Sequence, residues 1–186
     1  MLPQIRPVRP VGPYTEIIDP SDLNIVSWPD LSLRMRATHV PSVEEASLVA
    51  PRMIELMHDA AGIGLAAPQV GLPWRMFVTF IPDVDPVDRV FVDPAIELDL
   101  CGSPPQPYEE GCLSLPDLRL EILRPMGARI SARDLHGDSF ELSGSGLMAR
   151  VWQHEFDHLE ARLIFDLAQP VDAPTVKRWR KVYDIQ

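Results

Sequence analysis

His154-Glu155-Phe156-Asp157-His158, late in a chain of 186 residues, sets two imidazoles four positions apart with a glutamate beside the first. Four positions on an α-helix turn about 400°, so the rings return to one face within about 40° of each other. There they can grip one divalent ion, with Glu155 beside the ion's open side, where a water would lose a proton. A five-residue pattern of this kind recurs by chance, and the plain alternative is a polar helix face with two surface histidines. Trp152, Phe156, Leu159 and Leu163 argue against that alternative, because they would bury neighbouring parts of the same helix. Two histidines are an incomplete site, and the third ligand determines the kind of hydrolase.

Upstream, Glu110-Gly111-Cys112-Leu113-Ser114 offers that ligand. A free cysteine more often ends as a small buried hydrophobe. Read functionally, Cys112 is a thiolate whose pKa the ion itself lowers. Gly111 lets the backbone turn close to the ion, and Leu113 can present its N–H as one half of an oxyanion hole. A third stretch, Gly62-Ile63-Gly64-Leu65-Ala66-Ala67-Pro68-Gln69, is rich in small residues. No strand is expected before it and no Gly-Lys-Ser/Thr follows, so a phosphate cradle is a weak reading. A tight wall fits better, with Gly64 letting a substrate backbone lie flush and Gln69 offering an amide to a developing oxyanion.

The net charge of −10 argues against a surface that coats nucleic acid, although Lys177-Arg178-Trp179-Arg180-Lys181 is a local basic exception. No apolar run is long enough to span a bilayer. The N-terminal residues lack the apolar core of a secretory signal and do not read as an amphipathic, serine-rich transit peptide, so a bacterial cytoplasm is the expected setting, an organelle the alternative. Two cysteines allow at most one disulfide, and a reducing compartment is the default.

Twenty prolines cluster near the start and in Pro82–Pro86 and Ser103–Pro107, which read as stiff loops. Residues 1–22 read as a proline-rich arm and 23–186 as one catalytic domain. A short apolar strand is expected from Leu23, followed by a turn at Trp28-Pro29-Asp30. Ser42-Val43-Glu44-Glu45 forms a capping box for a helix that ends at Gly62 and kinks or restarts at Pro51. Short strands are expected at 75–81, 90–92, 96–100, 120–123, 128–134 and 139–142, with a hairpin turn at His136-Gly137-Asp138. Ser143–Gly146 reads as a flexible entry to a helix over 147–161, and a last helix spans 175–183. The order predicts an α+β fold: mostly antiparallel short sheets around a central helix bearing the HExxH, with a second long helix and a C-terminal one.

Taken together and in this order, the three motifs resemble those of the peptide deformylases, over roughly Leu23 to Leu167. The resemblance implies hydrolysis of the N-formyl group from the formylmethionine that begins new polypeptides, releasing formate. It implies Cys112, His154 and His158 as ligands of one divalent ion, Fe²⁺ in the cell, with Zn²⁺, Ni²⁺ or Co²⁺ able to substitute. It further implies Glu155 as general base then acid, and Gln69 and the Leu113 N–H as oxyanion donors. Substrate-binding roles fall to Ile63, Gly64, Gly111 and Arg119. Nascent formylmethionyl peptides are then the partners, with the ribosome as a candidate through Lys177, Arg178, Arg180 and Lys181. No membrane or sequence-specific nucleic acid is expected. Two positions depart from the family pattern. Ala161 stands where a glycine is usual, and Ala61 stands where a polar or acidic residue often pairs with an arginine resembling Arg124, which must find another partner.

Two rivals need different ligands. An HExxH endopeptidase would draw its third ligand from downstream, where Glu160 and Asp166 are the nearest acids. A non-catalytic module would close the site with Cys101 as fourth ligand, and a Cys101–Cys112 disulfide would abolish it.

Overall fold

The computed structural model describes residues 18–99 and 104–183; the first 17 positions of the arm, Leu100 and Cys101 lie outside them. Ser42 caps helix α1 (Val43–Asp59), its Oγ accepting from the Glu45 N–H at 3.2 Å. The helix continues through Pro51 as one element rather than restarting there. It stops before Gly62: Ala60 is the C-cap, and Ala61 takes the left-handed turn at φ 52°.

Strands β1 (Gly64–Ala66), β2 (Met76–Ile81), β3 (Asp85–Asp99), β6 (Gly127–Arg133) and β7 (Ser139–Ser145) form one antiparallel sheet in the order β1-β2-β3-β6-β7. Strands β4 (Gln106–Cys112) and β5 (Leu115–Arg124) pair separately as a hairpin. β2 is apolar except for Thr79, because both of its faces are covered. Met76 and Val78 share a cluster with Ala46, Val49, Met53 and Met57 of α1. Phe77 shares another with Ala149, Trp152 and Leu159 of helix α2 (Gly146–Leu159). α2 is therefore central, with the sheet on one side and the hairpin on the other. Helix α3 (Ala173–Val182) closes a third cluster, burying Trp179 with Leu115, Leu118, Leu120 and Ile122 of the hairpin strand.

Several expectations are corrected. Residues 90–92 and 96–99 belong to one long strand. Pro86 and Pro94 fall inside it; its first part pairs with β2, and from Val92 on it pairs with β6 across a register shift between Val92 and Ala95. The Pro82–Pro86 loop shrinks to a turn, since β3 begins at Asp85. Gln106 and Pro107 are strand rather than loop, and so is Gly64–Ala66. Ser143–Ser145 is strand that runs straight into α2, not a flexible entry. The segment after Leu23 forms no strand. It is strapped across the site by Val26 N–H to Gln69 O at 2.8 Å and Trp28 N–H to Ser114 O at 2.9 Å.

Candidate metal centre

The β4–β5 turn and α2 bring three ligand atoms together. One each from Cys112, His154 and His158 lie within 4.8 Å of one another. Cys112 Sγ and His158 Nε2 are 3.4 Å apart. Metal–sulfur and metal–nitrogen bonds of about 2.3 Å and 2.0–2.1 Å at tetrahedral angles place such atoms about 3.5 Å apart, so the spacing fits one ion. Cys112 carries a free thiol, which removes the disulfide.

The surrounding charges also fit a cation. His154 Nδ1 meets Glu110 Oε2 at 3.0 Å, which leaves its Nε2 for the ion. Burial depresses the His154 pKa, but the contacts with Cys112 and Glu110 outweigh it and hold the pKa well above the usual imidazole range. An ion would take the place of that proton. His158 is held well below the usual range, by burial first and then by the positive charges of His154 and Arg124, so it keeps a free lone pair.

Glu110 is held in turn by a buried ionic lattice. Arg124 grips both its oxygens, at 2.7 and 3.0 Å, and reaches Asp157 Oδ2 at 2.8 Å. Arg150 adds a 2.7 Å bond to Glu110 Oε1 and others to the carbonyls of Ile122 and Gln106. Burial alone would raise the Glu110 pKa; the bonds to His154 and Arg124 prevail and bring it to about 2. Arg124 thus finds its partners in Glu110 and Asp157, and the alanine at position 61 leaves it satisfied. Sequence reading missed the parts played by Glu110, Arg150 and Asp157, yet a signal was present. Leu118, Leu120, Ile122 and Arg124 share one strand parity, and Arg150, His154, Asp157 and His158 share one helical face.

Glu155 sits on the sheet side of α2, 4% exposed, with Oε2 unpartnered among the described residues. Burial, opposed by the charges of His154 and Arg124, pushes its pKa up to about 7. Gly64 makes room for it, since an added Cβ would lie 2.8 Å from Glu155 Cδ. Gln69 is buried, with Oε1 pinned by the Ala66 N–H at 2.8 Å. That anchor aims Nε2 at Cys112 Sγ (3.5 Å) and Ser114 Oγ (3.3 Å). The Leu113 N–H is free among the described residues, and the Leu113 side chain rests on Gly62. Ile63 is half-buried at the start of the same loop. The exposed Arg119 lies over its strand partner Gly111. Ala66 and Ala67 do not line the wall assigned to them; both are fully buried in the helix-facing clusters. Glu160 and Asp166 are engaged elsewhere, Glu160 by Arg75 and Arg36 and Asp166 by Arg34, so neither is the third ligand.

A helix-borne histidine pair completed by a cysteine from a hairpin turn, with a buried glutamate alongside, defines a metal-dependent hydrolase. The polypeptide deformylase family model matches residues 22–173. The chain is 38% identical over 168 residues to a peptide deformylase of Chromohalobacter salexigens, covering 87% of this chain and 98% of that one. It is also 38% identical over 160 residues to a chloroplast and mitochondrial peptide deformylase of Arabidopsis thaliana, covering 84% and 58%. The crystal structure of a plant peptide deformylase superimposes with a TM-score of 0.81 at 33% identity, covering 90% and 91%. The chain belongs to the polypeptide deformylase family, and removes the N-formyl group from newly made polypeptides.

Proposed function

We propose that Cys112, His154 and His158 hold one ferrous ion and that Glu155 moves the protons of deformylation around it. Such an ion, when bound, acidifies water towards neutrality and polarises the carbonyl it faces. The Glu155 carboxylate accepts the proton from the attacking water and returns it to the leaving amine as the formyl C–N bond breaks and formate departs. Gln69 Nε2 and the Leu113 N–H donate to the oxygen that becomes negative, each worth about 10²–10³ in kcat. Gly64 pairs with the substrate backbone through its own main chain. Ile63 and Leu113 flank the methionine side chain, and Gly111 keeps the hairpin edge open. Arg119, with no acidic partner among the described residues, meets the chain downstream.

The observation that carries this reading is the convergence of three ligand atoms within 4.8 Å beside the buried Glu155 carboxylate. Formate release from formyl-Met-Ala-Ser tests it. The wild-type enzyme turns over, while Glu155→Gln binds metal and barely turns over; a fast Glu155→Gln enzyme refutes the assignment. Iron is favoured over zinc on family resemblance, and a ferrous thiolate site loses activity in air as Cys112 oxidises, whereas nickel or cobalt loading preserves it. We place this chemistry in residues 23–186, with residues 1–22 as an arm outside it, and in a bacterial cytoplasm.

The exposed Lys177, Arg178 and Lys181 of α3 form a docking face for the ribosome, whose exit delivers the substrate. Arg180 shares that surface but also stacks over Phe165 at 5.0 Å. Removing α3 would strip Trp179 from the core, so glutamine substitutions at Lys177, Arg178 and Lys181 are the cleaner test. Loss of ribosome co-sedimentation with unchanged formate release supports the docking face; unchanged co-sedimentation removes it.

A further inference from the structure

Thr79 Oγ1 and Glu155 Oε2 are both buried and unpartnered among the described residues. Interior hydroxyls and carboxylates rarely go unsatisfied, so each calls for a partner. They share one side of the sheet. Phe77, two positions before Thr79 on β2, packs with Trp152 and Leu159, so Thr79 too points at α2.

The cross-strand partner of Thr79 is Gly64. Phe80 N–H donates to Ile63 O at 3.1 Å. That bond flanks Gly64 and Thr79 and marks them as a non-hydrogen-bonded pair, the kind with Cα atoms about 4.5 Å apart and side chains nearest. Gly64 brings no side chain to this pair. The Glu155 carboxylate stands in the place instead, 2.8 Å from where the Cβ would be. It is thus the effective cross-strand neighbour of the Thr79 side chain, though no hydrogen bond joins the two. A rotamer change of the hydroxyl, or one buried water, closes that gap.

We propose that the Thr79 hydroxyl donates a hydrogen bond to the Glu155 carboxylate, directly or through one water, and is a positioning residue for deformylation. Valine would fill the same volume on a buried strand without a hydroxyl to satisfy. The threonine hydroxyl therefore has its use at the carboxylate on its side of the sheet. This inference rests on Glu155 being the proton-transfer residue, and adds what fixes its carboxylate in the orientation that reaches the substrate.

The test compares Thr79→Val and Thr79→Ser with wild type, all metal-loaded, by formate release from formyl-Met-Ala-Ser, with metal content and melting temperature measured alongside. Thr79→Val should lose about tenfold to a hundredfold in kcat, the effect of one hydrogen bond to a charged group, with KM and metal content unchanged. Thr79→Ser should restore most of the rate. In metal-free protein, the carboxyl band of Glu155, isolated in the infrared by difference against Glu155→Gln, should move in Thr79→Val and stay in Thr79→Ser. A Thr79→Val enzyme at full kcat with an unmoved band, or a Thr79→Ser enzyme as slow as Thr79→Val, overturns the role of the hydroxyl while leaving Glu155 in place. A Glu155→Gln enzyme that still turns over overturns both readings at their common root.

Discussion

Glu155 shows how one missing methyl group positions a reacting carboxylate. The space it occupies exists because residue 64 is glycine, and the steric demand comes from Glu155 itself, 2.8 Å from the added Cβ at its Cδ. Gly64→Ala should push the carboxylate away from the ligands and cut kcat by at least about tenfold, since misplacing a group by about 1 Å can cost about 10². Metal stoichiometry should stay at the wild-type value. Full activity in that variant would show that the carboxylate can work from another place. The sequence displayed the glycine but not its reason. Its neighbours across the sheet and on α2 are distant in the chain, and only strand register joins them.

At the scale of elements, those encoded by local sequence are legible from it. Ser42 marks the start of α1, the alternation of β5 is visible in Leu118-Arg119-Leu120-Glu121-Ile122, and the metal-site histidines announce α2. Elements that lean on partners stayed hidden. β1 is three residues long, and β4 is largely exposed and carries no apolar rhythm. β3 contains two prolines that argue against a strand, and each lies where a ladder shifts register, Pro86 against β2 and Pro94 against β6. The end of α2 carries a testable consequence of its own. Ala161 adopts φ 58°, a left-handed conformation that costs a residue with a Cβ about 1–2 kcal/mol. Ala161→Gly, partly offset by the entropy of glycine, should stabilise the protein by about 0.5–1 kcal/mol and raise Tm by roughly 1–4 °C. Calorimetry showing a lower Tm would mean that the alanine methyl makes contacts worth more than the strain.

Across the whole molecule, the lattice of Glu110, Arg124, Arg150 and Asp157 ties hairpin to central helix and carries the second support of the metal site. Charges so spread along a chain look like solvated surface until the fold collects them; Arg124 is marked by the family pattern as needing a partner, but nothing local marks Arg150 as one of the set. Because the folded Glu110 pKa lies at about 2, below its ordinary 4.5, the lattice contributes stability above pH 4.5. That contribution fades as pH falls from 4.5 towards 2. Glu110→Gln should lower stability at neutral pH, flatten this part of the acid-unfolding curve, and weaken metal binding by about 10–100-fold. Parallel curves for wild type and variant would contradict the assignment. All of it serves one convergence, and X-ray absorption at the metal edge of anaerobically loaded protein measures it directly. One sulfur near 2.3 Å, two imidazole nitrogens near 2.0–2.1 Å and one light scatterer, about as in known sites of this kind, is the predicted shell. A shell without sulfur, or one closed by a fourth protein side chain, would contradict it.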